Sequence, residues 1–166
     1  STWYKEGLTR VNMAYGSAYQ NADGVNVISA SGILNDGTDN LRVISADMTL
    51  DRVTIIVNSF IEMDGAEAFL VDINDGKILA HRDSEMISQK LGAKEQGAFY
   101  EKVAEKVAAV DYSFCTLDGN MTVFKEVTGT NWLLVSYIPT EIVLADLAKL
   151  RTIMIIISIV SILLLC

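Results

Sequence analysis

The chain has 166 residues, 51% of them apolar and 20% charged, with 13 Lys and Arg against 21 Asp and Glu and a formal charge of -8. That is enough apolar material for one packed domain or two small ones, and it excludes a disordered chain. The acidic balance sets nucleic acid aside, because phosphate binding needs a surplus of basic side chains, and Cys115 and Cys166, without paired spacing, make neither a thiolate metal site nor a disulfide framework.

No signal peptide stands at Ser1-Thr2-Trp3-Tyr4, which reads as the middle of a longer chain. Residues 25–48 form two apolar runs around a turn-rich centre, and Asn35-Asp36-Gly37 predicts the turn of an antiparallel hairpin. The second run passes into Thr49, a candidate N-cap, and then into Leu50, Val53, Ile56 and Val57 at helical spacing. After Gly65 the pattern begins again. Strands over 68–72 and 77–81 flank Ile73-Asn74-Asp75-Gly76, a second hairpin with Asp-Gly at its turn. A helix follows over 99–110, with Phe99, Val103, Val107 and Val110 on one face. Three strands come next, over 112–117, 121–127 and 132–138, separated by Asp118-Gly119-Asn120 and Thr128-Gly129-Thr130-Asn131.

Pro139 stops the last strand, and residues 140–151 are expected to form a helix that continues into residues 153–166. That final stretch has two serines as its only polar side chains. A hydrocarbon crossing takes about 20 residues, so a membrane helix cut short is expected, with a buried terminal helix or strand as the alternative.

The ordered set of features resembles the double Cache family, the two-module PAS-like sensor regions found outside the membrane in chemotaxis receptors, sensor kinases and cyclic-dinucleotide enzymes. It rests on Trp3-Tyr4, on Tyr19 followed by Asn21, on the runs 27–31 and 42–50, on 68–72 through Asp75-Gly76 to His81, and on Gly129-Thr130-Asn131-Trp132 through Ile138-Pro139. The resemblance implies an α+β fold of PAS-like antiparallel sheets with flanking helices, ending in a transmembrane helix. Residues 1–62 would be the C-terminal half of a membrane-distal module, residues 63–139 a complete membrane-proximal module, and residues 140–166 the juxtamembrane and truncated transmembrane helix.

By the same resemblance the chain senses a small molecule, an amino acid or amine, outside the cytoplasm and relays the signal across the cell membrane. Residues 1–151 would be extracytoplasmic and the full receptor a homodimer, most like a chemotaxis receptor. A histidine kinase, a diguanylate cyclase, or a structural stalk that senses through a partner protein are the alternatives. Ligand contacts carried over from the family fall on Trp3, Tyr4, Tyr19, Asn21 and Asp47. The aromatic pair would offer an indole N–H, a phenol O–H and a wall, and Asp47 would hold an ammonium in a charge-assisted bond. Ser1 stands where the family pattern has an arginine, which leaves a ligand carboxylate without its bidentate partner, and Asn21 stands where it has an aspartate, keeping the acceptor without the charge. Bland roles compete: Trp3 and Tyr4 as core aromatics, and Asp47 as a carboxylate favoured by the following helix N-terminus.

Other features read as structural. His81, the single histidine, is expected to orient a loop rather than bind metal, and Trp132 to plug the core of the second module. Asp36, Asp39, Asp72 and Asp75 lie at turns, where Asp bonds the backbone. Neither a Gly-x-Ser-x-Gly element nor a Walker loop occurs, so no enzyme, catalytic residue, metal or cofactor is expected. Haem and flavin are disfavoured with them.

Overall fold

The computed structural model describes residues 1–35, 37, 40–59 and 61–165, the side chains of 146–149, 159, 160 and 162–165 excepted. A short helix α1 (Thr2–Gly7) leads into β1 (Ala14–Tyr15), β2 (Tyr19–Gln20), β3 (Asn26–Leu34) and β4 (Arg42–Thr49), and then into helix α2 (Leu50–Ser59). After these come β5 (Glu67–Asp72), β6 (Ile78–Ala80), helix α3 (Ala98–Ala108), β7 (Cys115–Leu117), β8 (Asn120–Val127), β9 (Trp132–Pro139) and helix α4 (Thr140–Leu165). The class is α+β, with antiparallel sheets and flanking helices.

The first sheet is built on β3, which pairs with β4 along one edge and with β1 and β2 along the other. The predicted hairpin is present, with Val27 opposite Thr49 and Leu34 opposite Arg42. Asp36 and Asp39, named for its turn, lie outside the described residues, as does Cys166. The second sheet has the order β6-β5-β9-β8-β7, all pairs antiparallel. Within the Asp72–Lys77 turn, Asp72 Oδ1 accepts the Asn74 N–H and Asp75 Oδ1 accepts the Lys77 N–H, each at 2.9 Å. Gly76 takes the left-handed conformation there, at φ 71°.

Thr49 caps α2 as expected, its Oγ1 accepting the Arg52 N–H at 3.3 Å. Leu50, Val53 and Val57 are buried, but Ile56 is 46% exposed. At about 100° per residue Ile56 falls a quarter-turn from Val57 and leaves the stripe. Helix α3 likewise buries Phe99 and Val103, whereas Val110 is 71% exposed. It lies beyond the helix end at φ 53°, where the Asp111 N–H reaches back to the Lys106 carbonyl and turns the chain away.

Two cores result. Phe69, Val71, Leu133 and Val135 pack with Phe124 beneath α3. On the opposite face of the same strands, Ala68, Leu70, Leu79 and Ala80 pack with Leu50, Val53 and Val57 of α2 and with Ile28 of β3. Helix α2 therefore lies between the two sheets, which share one core through it. Trp132 departs from its expected role. It packs on this shared side, with its ring 4.8 Å from that of Tyr15 in the other sheet, and so joins the sheets instead of plugging the core under α3.

Helix α4 runs unbroken for 26 residues from the end of β9. Among the described residues no helix is long and apolar enough to cross a membrane. The first turn of α4 is held closely: Gly65, at φ 79°, faces Ile142 where an added Cβ would collide. Val143 lines an apolar groove of about 470 Å³ with Ile61, Met63, Phe114, Met121 and Ile138.

Candidate functional site

Residues directly opposite on paired strands share a face, and residues two apart on one strand share it as well. Ser29 stands opposite Asp47 and Ser31 opposite Ser45, so β3 and β4 put three hydroxyls and a carboxylate on one surface. Tyr19, opposite Val27, joins that face. The other face carries Ile28 and Met48 into the core around α2.

Hydrogen bonds order the polar face. Asp47 Oδ1 accepts from Ser29 Oγ at 2.6 Å and from Ser45 Oγ at 3.4 Å. Because Ser29 gives its hydrogen to Asp47, its oxygen accepts from Tyr19 Oη, at 2.8 Å. A directed chain from Tyr19 through Ser29 thus turns a phenol and a hydroxyl toward one carboxylate, that of Asp47. Ser29 is 1% exposed, while Asp47 is open to solvent. A buried hydroxyl supports an exposed carboxylate, which is an arrangement suited to holding an external cation. Asp47 also lies in β4 with its Oδ1 turned to serine hydroxyls, so among its described partners there is no helix N–H.

The sequence-derived residues fare unequally. Tyr19 and Asp47 are brought together, through Ser29, which sequence reasoning does not single out. Asn21 holds the backbone, where its Oδ1 accepts the N–H groups of Asp23 at 3.0 Å and Val25 at 2.9 Å and closes the turn between β2 and β3. Trp3 and Tyr4 sit on α1 in an edge-on pair 5.7 Å apart, Tyr4 being 43% exposed. Their helix crosses the same strands farther along, where Gly7 meets Val43 and Ser31. Among the described residues neither ring is hydrogen bonded to Asp47.

Two more residues of this region were not foreseen. Arg10 donates to Ser31 Oγ at 3.3 Å and to the Ala14 carbonyl at 2.9 Å, and pairs with Glu6 at 3.5 Å. Glu6 Oε1 in turn accepts the Ser17 N–H at 3.2 Å. Arg10 also lines a polar cavity of about 40 Å³ between the sheets with Tyr15, Asp72, Asn74, Asn131 and Trp132. Burial raises the Asp72 carboxyl above its ordinary value, opposed by the Asn74 N–H. The signal for the polar face was readable: Ser29 and Ser31 recur at period two inside an otherwise apolar strand.

No protein-family description matches the chain, and no curated protein matches it. Solved structures do. The ligand-binding domain of the Pseudomonas fluorescens chemoreceptor CtaA, in complex with L-isoleucine, matches over 88% of this chain and 60% of that one, with TM-score 0.62 and 22% identity. The ligand-binding domain of the Pseudomonas aeruginosa PAO1 amino acid chemoreceptor PctB, in complex with L-Arg, covers 92% of this chain and 60% of its own length, with TM-score 0.60 and 24% identity. The extracellular domain of mmHK1S-Z3, described as a histidine kinase, matches over 89% of this chain and 56% of its own, with TM-score 0.65 and 21% identity. The chain thus has the fold of these ligand-binding and extracellular domains, and spans somewhat over half of their length.

Proposed function

We propose that this chain is the signal-relaying part of the extracytoplasmic sensor region of a membrane receptor, and that it contributes one wall of a site for an amino acid or related amine. The observation that carries this reading is the directed hydrogen-bond chain from Tyr19 through Ser29 to the exposed carboxylate of Asp47. An ammonium ligand would replace solvent at Asp47 and complete a site whose donors and acceptor are already ordered. The likeness to amino-acid-binding chemoreceptor domains supports the same ligand class.

On this reading residues 1–62 belong to the membrane-distal module and residues 63–139 to the membrane-proximal one. Trp3 and Tyr4 provide aromatic wall at the rim of the site. Helix α4 leads through Arg151 into the membrane, with the apolar run 153–166 beginning its crossing, and the receptor works as a homodimer in the cell membrane. Ligand binding shifts the population between two packings of the modules, which it can do only by binding one packing more tightly. The shared core on α2 and the contact of Gly65 with Ile142 make the shift mechanical at the start of α4.

The reading is tested by calorimetric titration and thermal shift with twenty amino acids and a panel of amines, on the receptor's whole sensor region. A ligand at about 100 times its dissociation constant adds about 2.7 kcal/mol of stability. The expected result is a shift for at least one amine-bearing ligand that is lost in Asp47→Ala and weakened in Tyr19→Phe. A shift that persists in Asp47→Ala moves the site elsewhere, and no shift with any ligand favours a stalk that senses through a partner protein.

A further inference from the structure

A second polar chain lies in the five-stranded sheet and serves none of the roles above. His81, the only histidine of the protein, follows β6 and is buried, with its ring centroid 5.8 Å from that of Phe69 and 5.7 Å from that of Tyr100. Its Nδ1 lies 2.9 Å from the backbone N of Asp83 and 3.2 Å from the carbonyl oxygen of the same residue. A neutral ring nitrogen is either donor or acceptor. With the Asp83 N–H donating at the shorter distance, Nδ1 accepts and the ring proton sits on Nε2.

The remaining directions follow. Nε2–H donates to Tyr100 Oη at 2.8 Å, and Tyr137 Oη donates to Glu67 Oε2 at 2.6 Å. The Tyr137 oxygen is then the acceptor for Tyr100, at 3.4 Å. One chain with every hydrogen turned the same way links the end of β6, α3, β9 and β5. Tyr137 stands two residues before Pro139, where β9 passes into α4.

Charged groups face His81 from two elements: Asp83 on its own loop and Glu67 on β5, both favouring an imidazolium. Arg82 pairs with Glu67 Oε1 at 3.3 Å and offsets part of that attraction. Tyr100 on α3 and Tyr137 on β9 keep their protons, burial pushing both phenols up. Burial also outweighs the carboxylates at His81 and holds its pKa below the ordinary histidine value.

We propose that His81 is a proton-binding site giving this chain an acid-sensing input separate from the polar face at Asp47. On acidification one proton is taken from solvent onto Nδ1, and none moves along the tyrosines. That nitrogen changes from acceptor to donor, so it releases the Asp83 N–H and engages the Asp83 carbonyl, which already stands within reach. The loop after β6 shifts between two arrangements, and the imidazolium pulls on Tyr100, Tyr137 and through them on the strand that feeds α4. In the folded chain His81 binds its proton less readily than in the unfolded one. The stability it contributes is therefore full above about pH 6.5 and is lost as pH falls toward the folded midpoint.

The test is a nitrogen and amide magnetic-resonance pH titration of the whole 166-residue chain in detergent micelles, where a single imidazole gives one unambiguous pair of ring signals. Expected are the Nε2–H tautomer at neutral pH, a midpoint below about 6.5, and Asp83 and Tyr137 amide shifts that share that midpoint. In Tyr100→Phe the ring and its packing remain, the Asp83 amide still titrates with His81, and the Tyr137 amide no longer follows. The Nδ1–H tautomer, a midpoint at or above about 6.5, a chain that unfolds before His81 titrates, or a Tyr137 response undiminished in Tyr100→Phe overturns the proposal. Should Tyr100→Phe fail to fold, the wild-type tautomer and midpoint decide it.

Discussion

On the face that α1 crosses at one end, the strands β3 and β4 present Ser29, Ser31, Ser45 and Asp47, whereas under α3 the strands β5 and β9 present Phe69, Val71, Leu133 and Val135. Both are paired antiparallel strands with a helix laid across one face. The side chains at alternate positions decide what that face can do. An apolar face excludes water and locks to its helix, so it transmits displacement. A hydroxyl face with one exposed carboxylate keeps donors and acceptors that a solute can engage. On the proposed reading one architecture thus supplies a recognition surface and a rigid relay, separated by α2 and joined by Tyr15 and Trp132.

The largest effect that would sharpen this contrast is in the apolar sheet. Phe69 is 0% exposed, and Phe69→Ala is expected to cost about 3–5 kcal/mol in urea unfolding. Ser31, also 0% exposed, should lose only about 1 kcal/mol on change to Ala, the value of its bond from Arg10. Equal losses would make the polar face a structural core and break the comparison. An intermediate effect is expected at the joint: Trp132→Ala should cost about 2 kcal/mol. Hydrogen exchange should then quicken in β1 while the amides of β5 stay protected. Uniform loss of protection would mean that the sheets unfold as one unit. The smallest change carries the opposite sign. Val110 holds φ 53°, strained for a β-branched residue, so Val110→Gly should raise stability by about 1 kcal/mol without touching the face at Asp47.

Much of the fold was legible because its signals are local. Apolar runs around Asn-Asp-Gly turns marked both hairpins, and Thr49 before Leu50 marked a capped helix. Errors fell where a periodic residue lies at the margin of a stripe. Ile56 and Val110 continue an apolar pattern, yet one leaves the buried arc and the other follows the last turn. The candidate site was legible by halves. Tyr19 and Asp47 were named by resemblance, while Ser29, which connects them, is unremarkable as a residue type and acquires its place only through strand register. That Asn21 Oδ1 closes the turn after β2 was not legible either, since an amide oxygen suits either a solute or a turn.

What the sequence determined by itself is the order of the main strands and helices from β3 onward, the acidic net charge, and the apolar tract at the end of the chain, all properties of neighbouring residues. Tertiary structure alone decided that α2 serves both sheets, that Trp132 packs on Tyr15 from the far end of the chain, and that His81 and Glu67 end one hydrogen-bond chain. Those facts depend on contacts between segments far apart in the chain. Such contacts follow from how faces fill space and satisfy buried polar groups, which no local pattern encodes.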